Sequence, residues 1–225
     1  MKVGIMQPYF FPYFGYFQLI NEVDVYVNLD HVSFMKRSFM TRNKIKNETS
    51  FNIPILNGTQ NKSCKEIFIN VDEKYTNTIK KTFKHLYGKE LFYDTIIKEI
   101  FNDFDFGVSN DEITISDLNL FFIKKICNYL DIKTKIINTS LGLTDKKKGD
   151  GLIDITHRFS GDTYINAIGG QKIYNKEYFK KSGITLKFIK ISDVDFDNPY
   201  TSILDLLFRY EKCHIINQLP KFELI

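Results

Sequence analysis

Residues 2–28, KVGIMQPYFFPYFGYFQLINEVDVYVN, decide how the rest of the chain is read. Lys2 to Gln7 is a short apolar run of the kind that forms a buried strand. Pro12 and Gly15 then punctuate an aromatic loop, and Phe14 to Glu22 has helical spacing. Val23 to Asn28 alternates and is rich in valine, which suits a second strand. Strand, loop, helix and strand within about thirty residues make the opening unit of a parallel sheet. The predicted class is α/β, with a Rossmann-like parallel sheet.

Beyond residue 30 the pattern changes. Short apolar runs at Val32–Met35, Phe51–Leu56 and Glu66–Val71, with an Asn57-Gly58 turn, predict hairpin-like β structure. Helical spacing follows from Tyr75 to about Leu130, with Thr114 or Ser116 placed to cap the third stripe. The α/β rhythm then returns. Lys135–Asn138 is a strand, Gly142–Gly151 a basic loop, Leu152–Phe159 a helix and Thr163–Asn166 a strand. Asn175–Ser182 is a helix closed by Gly183, Ile184–Ile189 a strand, and Ser202–Tyr210 a last helix after Pro199. One domain over 1–225 is predicted, its parallel sheet interrupted by a β-plus-helical insertion over approximately 31–130. Ligands of such sheets sit beyond the carboxyl ends of the strands, so the loops after residues 7, 28, 138 and 166 are the places to search.

Composition narrows the function classes. A hydrophobic fraction of 43% and a charged fraction of 26% fit a globular protein with a buried core. The net charge of +4 is mild and no long basic block occurs, so nucleic acid is not an expected partner. That balance suits an anionic small molecule such as a nucleotide-linked sugar or another phosphorylated compound, and equally a bland surface. Cys64, Cys127 and Cys213 are odd in number and far apart, which favours a reducing compartment over a disulfide framework. No signal-peptide pattern and no membrane span are read, so cytoplasm is the expected location. The many aromatics, 21 Phe and 13 Tyr, fill a core and also suit a self-association interface.

Within the opening loop, two prolines lower the entropy cost of holding side chains in place. Gly15 permits close approach at the head of the helix, and a helix N-terminus aimed into the loop favours an anion. Tyr13 and Tyr16 flank that glycine and offer rings and hydroxyls, while Gln7 at the strand end both donates and accepts. Tyr13 and Tyr16 are catalytic candidates, and Gln7, Pro8 and Gly15 are substrate-binding candidates; Phe10, Phe11 and Phe17 read as packing.

This block closely resembles the start of the WbqC-like proteins. The resemblance continues through Asp24 and Asp30, Arg42-Asn43, Thr163 to Gly170, and Ser202 to Leu207. It implies a role in O-antigen or other surface-glycan synthesis, with acyl or amino-acyl transfer to an amino sugar as the chemistry. A more distant likeness joins Tyr13-Phe14-Gly15-Tyr16 to the HxGH motif of nucleotidylyltransferase-type Rossmann domains. Both histidine positions hold tyrosine here, which donates a hydrogen bond but is not cationic near neutral pH. That departure weakens nucleotidyl transfer more than nucleotide binding.

Other candidates lie at predicted strand ends. Asp30 is placed to act as a general base toward an amine or to bind ribose hydroxyls, and equally reads as a turn cap. Arg42 and Asn43 stand in the inserted region, the arginine offering a planar fork for phosphate or carboxylate. Lys146 and Lys147, in a glycine-flanked loop that is not a Walker A sequence, suit phosphate contact or a solvated surface run. Tyr164, Asn166, Gly169 and Gly170 follow a strand and either wrap a sugar or nucleotide edge or form a tight turn. No metal-ligand spacing, activated cysteine or Gly-x-Ser-x-Gly elbow is present, and no cofactor is identified. The expected function is modification of an activated amino sugar; nucleotidylyl transfer from ATP or CTP and a non-catalytic nucleotide-sugar-binding subunit are the alternatives.

Overall fold

The computed structural model describes residues 1–56, 61–102, 113–138 and 148–225. Strand β1 (Lys2–Met6) leads through helix α1 (Phe14–Glu22) to β2 (Val25–Asn28). A hairpin of β3 (Arg42–Ile45) and β4 (Thr49–Asn52) follows, then helices α2 (Glu73–Tyr87), α3 (Tyr93–Phe101) and α4 (Ile115–Tyr129). The chain returns through β5 (Lys135–Asn138), α5 (Lys148–Arg158), β6 (Thr163–Ala167), α6 (Lys176–Lys180) and β7 (Thr185–Ile191). It closes with α7 (Ile203–Arg209), α8 (Lys212–Gln218) and β8 (Phe222–Leu224).

Six of these strands form one sheet in the order β5-β2-β1-β6-β7-β8. All neighbours are parallel except β7 and β8, which are antiparallel. The two-residue alternation of strand side chains sorts the core onto the two faces. Val3, Ile5, Val25, Val27, Tyr164, Leu186 and Phe188 face one side, where Leu152 and Ile155 of α5 and Phe179 of α6 cover them. Tyr26, Ile165 and Ile189 face the other, against α1, α4 and α7. Gly4 belongs to that second face, where a Cβ would come within 2.7 Å of Leu19 and 3.2 Å of Val23. The missing side chain is what seats α1 directly on the central strand.

The parallel α/β class holds. Between β2 and β5 the sequence places its strands incorrectly, and the true hairpin spans 42–52. There the alternation is carried by Asn43 and Ile45 turned inward with Arg42 and Lys44 outward. The apolar runs around residues 33, 55 and 69 pair through single bridges, Ser33–Ser63, Ile55–Ile69 and Phe68–Thr114. The Asn57-Gly58 turn lies outside the described residues. Despite its separate sequence character, the inserted stretch joins α1 and α7 in one apolar cluster, with Phe34, Met40, Phe51, Phe83, Ile100 and Phe122 among its members. Helix α8 and strand β8 were not expected. No described helix is long and apolar enough to cross a membrane.

Candidate functional site

Chain direction fixes where a ligand is expected to sit. From β1 the sheet grows toward β2 and β5, and the chain then crosses back to lay β6 on the other flank of β1. Loops leaving β1 and β6 therefore diverge, and a crevice opens between them at the carboxyl ends of the strands. A cleft of about 720 Å³ occupies that point. Gln7, Tyr9 and Tyr13 line it from the β1 side, Tyr164, Asn166, Gly169 and Gly170 from the β6 side, Phe39 and Tyr200 from loops, and Asn43 from β3.

The aromatic loop after β1 is held by its backbone. Asn119 of α4 donates from Nδ2 to the carbonyls of Pro8 (3.0 Å) and Met40 (2.8 Å). Asn43 donates to the carbonyls of Phe10 (3.1 Å) and Phe11 (2.7 Å), and its Oδ1 accepts from the Lys44 N–H (2.8 Å). Ser202 Oγ donates to the Phe11 carbonyl (2.9 Å), and the Ile203 N–H to that of Pro12 (2.9 Å). These donors offset an unfavourable backbone, because Phe11 sits in the left-handed region at φ 44°. Its ring is enclosed by Phe10, Phe51, Phe101 and Phe122, so packing and hydrogen bonding over-determine the turn.

Tyr13 stands at the N-cap of α1, pairs with Ser202 in an isolated bridge, and lies nearly parallel to Tyr200 with ring centres 6.2 Å apart. Burial pushes its phenol up to about 12, so it stays a neutral donor across the physiological range. Beneath it, Gly15 has no room for a side chain, since a Cβ would lie 2.6 Å from the Tyr13 ring and 3.1 Å from Ile191. Gln7 Oε1 accepts from the Tyr9 hydroxyl at 3.3 Å. On the β6 side, Asn166 Oδ1 accepts from the Ala167 N–H (2.7 Å) and the amide bonds the Tyr164 side chain. The Tyr164 hydroxyl donates to the Ile5 carbonyl (3.3 Å), tying β6 to β1 under the cleft. A Cβ at Gly170 would meet Asn166 Nδ2 at 2.7 Å, whereas one at Gly169 meets nothing within 4 Å.

Several residues selected from the sequence lie elsewhere. Tyr16 is fully buried; its hydroxyl donates to the Gln7 carbonyl (2.8 Å) and bonds the Tyr26 hydroxyl, so it braces the strand end and does not line the cleft. Burial raises its phenol strongly. Tyr13 is the extended N-cap residue (φ −73°, ψ 168°), whereas Tyr16 lies in the first turn of α1, so the change of backbone at the helix start sends one ring to the cleft and the other to the sheet. Asp30 is 3% exposed and off the cleft lining, its carbonyl accepting from the Cys64 thiol (2.8 Å) and the Lys65 N–H (3.3 Å). Arg42 is exposed on β3 away from the cleft, and Pro8 is buried behind it. Asn43 lines the cleft, but its polar atoms are occupied in fixing the loop. Lys146 and Lys147 lie outside the described residues. The anion site expected at the start of α1 is closed, because the Phe14 N–H donates to the Pro199 carbonyl (3.3 Å) and the Tyr16 N–H to that of Tyr13 (3.1 Å).

Sequence reasoning missed Tyr9, Phe39, Ile173, Tyr174 and Tyr200. Tyr9 was visible in the opening loop. The others reach the cleft through long-range folding, and only Tyr200, in an Asn-Pro-Tyr turn just before a helix, carried a local signal. Among the described residues no cluster of His, Cys, Asp or Glu is placed to hold a metal ion.

No solved structure matches the chain. A relative from Mycobacterium tuberculosis, "Uncharacterized protein Rv1507c", is 23% identical over 224 residues, covering 92% of this chain and 93% of that protein. The model of the WbqC-like protein family matches residues 7–215, from the glutamine at the end of β1 to the middle of α8. That match takes in both walls of the switch-point cleft, and the chain belongs to the WbqC-like protein family.

Proposed function

We propose that the protein acts on a nucleotide-linked amino sugar in bacterial surface-polysaccharide synthesis, holding it in the switch-point cleft for acyl or amino-acyl transfer to its amine. The observation that carries this reading is convergence. Gln7, Tyr13, Asn166, Gly169 and Gly170, chosen from two separate stretches of sequence, meet around one cleft of ligand size. In the transfer, the amine nitrogen bonds the acyl carbon, the donor's leaving group departs, and the amine proton passes to water. No carboxylate or imidazole is among the described lining residues, so proximity and orientation supply the acceleration. Asp30, buried two residues past the carboxyl end of β2, serves this scheme from outside the cleft by holding the Cys64 and Lys65 segment through its carbonyl.

The same absence of a titratable lining group near neutrality favours a second reading, a non-catalytic nucleotide-sugar-binding subunit of a glycan-assembly complex. Nucleotidylyl transfer loses support, since Tyr16 is enclosed and Tyr13 is uncharged. The discriminating experiment incubates purified protein with nucleotide-linked amino sugars and acyl or aminoacyl donors, and follows sugar mass by mass spectrometry. An acylated sugar whose formation is lost in Gln7→Ala and Tyr13→Ala variants of unchanged melting temperature supports the enzyme. Binding without donor consumption by the wild type selects the binding subunit, and full turnover in both variants removes the cleft assignment.

A further inference from the structure

We propose that this cleft recognises an uncharged ring, with apolar faces and a hydrogen-bonding edge, and leaves any phosphate of the ligand outside its lining. The inference deepens the reading of the cleft as a nucleotide-sugar site and rests on it for the identity of the whole ligand.

Charge comes first. None of the described residues lining the cleft is Asp, Glu, Lys, Arg or His. An anion drawn from water into such a lining would lose its hydration with no cation to replace it. Several backbone donors at the ends of β1 and β6, the other way a Rossmann-type sheet binds phosphate, already have partners. At the β1 side the Phe14 N–H is taken by the Pro199 carbonyl. At the β6 side the Ala167 N–H is taken by Asn166, and the Ile173 and Tyr174 N–H groups both go to the Gly170 carbonyl (2.9 Å each).

What the cleft does offer is apolar surface and neutral polar edges. Met35 is 44% exposed, Phe39 58%, Ile173 73% and Tyr200 63%, and these belong to three different loops that meet at this one mouth. Isolated exposed apolar residues need no explanation, but a set gathered round a concave site marks a binding surface. Tyr200 over Tyr13 and Phe39 beside Tyr9 (ring centres 5.8 Å apart) provide two aromatic walls against which a ring stacks. The hydroxyls of Tyr13, Tyr174 and Tyr200 form no hydrogen bond with another described residue, so they serve the edge of the ligand. Burial raises the Tyr9, Tyr13 and Tyr174 phenols, which keeps them protonated donors.

A nucleobase and a sugar ring both have this chemistry, and the test separates them. Calorimetric titrations use uridine, adenosine, N-acetylglucosamine, the UDP-linked form of that sugar, and inorganic pyrophosphate, at about 0.05 and about 0.5 M NaCl. Expected is binding of at least one neutral probe with Kd changed less than about twofold between the two salts, because no ion pair is screened. Phe39→Ala and Tyr200→Ala should each weaken it about tenfold or more at unchanged melting temperature, as loss of one stacking partner does. Uridine or adenosine binding names the base as the occupant; N-acetylglucosamine binding names the sugar. Competition by pyrophosphate, failure of every neutral probe, or wild-type affinity in both variants overturns the inference. A neutral probe that binds while the nucleotide sugar does not would remove the proposed function and leave this inference standing. A nucleotide sugar held only through its diphosphate does the reverse.

Discussion

Replacing Asn43 by alanine tests whether the aromatic loop is set by the three hydrogen bonds of one side chain. Asn43 is 6% exposed and donates to the Phe10 and Phe11 carbonyls while accepting from Lys44. In the variant the Phe11 carbonyl keeps Ser202 Oγ, but the Phe10 carbonyl loses its donor. A buried carbonyl left without a partner costs about 1–3 kcal/mol. With the weakened Lys44 contact and a small void added, the expected loss is about 2–3 kcal/mol, or about 5–10 °C in melting temperature for a chain of this size. Ser202→Ala should cost about 1–2 kcal/mol, because it removes one of two donors on the Phe11 carbonyl and a helix cap on Leu204. The cap cancels in a double-mutant cycle, and the shared carbonyl does not. Only the double variant strips Phe11 of both donors, so its cost should exceed the sum of the singles by about 1 kcal/mol. Denaturant unfolding of the four proteins, followed by circular dichroism, measures this. Additivity within about 0.3 kcal/mol, or an Asn43→Ala cost below about 0.5 kcal/mol, would show that packing alone holds the turn.

Gly15→Ala should cost about 1–3 kcal/mol, because the added Cβ meets the Tyr13 ring at 2.6 Å and Ile191 at 3.1 Å, and it should weaken any cleft ligand by displacing that ring; unfolding and titration on one preparation check both halves. Burial pushes the Tyr13 phenol and the Cys64 and Cys127 thiols up to about 12. The unfolded chain releases these protons at lower pH than the folded one, so their contribution to stability should be constant below about pH 8 and fall from about pH 9 to 12. A denaturation series across that window that shows no decline refutes the burial of these groups. Of the three thiols only Cys213 is exposed, so a thiol reagent should modify one cysteine quickly in native protein and the other two only on unfolding.

The parts of the fold visible in the sequence are those in which local pattern and tertiary environment agree. Residues 2–28 show a strand whose Val3 and Ile5 alternate, a glycine under a helix, and a valine-rich partner, and all three features are used in the sheet. Residues 42–52 were missed because the inward position of β3 holds Asn43, which is buried for its hydrogen bonds and so gives no apolar signal. Strand β8 has three residues and is defined by pairing with β7, which no local window contains. The candidate site divides the same way. Topology pointed to the carboxyl ends of β1, β2, β5 and β6, and the cleft opens between the loops that leave β1 and β6. Which side chains face it depends on the change from extended to helical backbone between Tyr13 and Tyr16, on the burial of Asp30 past the end of β2, and on loops such as 198–201 that arrive from far along the chain.

Strand β1 pairs on one flank with β2, about twenty residues away, and on the other with β6, whose first residue is Thr163. On a ribosome adding roughly 5–20 residues per second, one side of the central strand waits on the order of 10–30 s for its neighbour. During that interval Val3 and Ile5 have only half a sheet around them. Cotranslational chaperones that recognise short apolar strands therefore have their clearest opportunity at the amino end of this protein, and synonymous changes that slow translation near codon 150 would lengthen it.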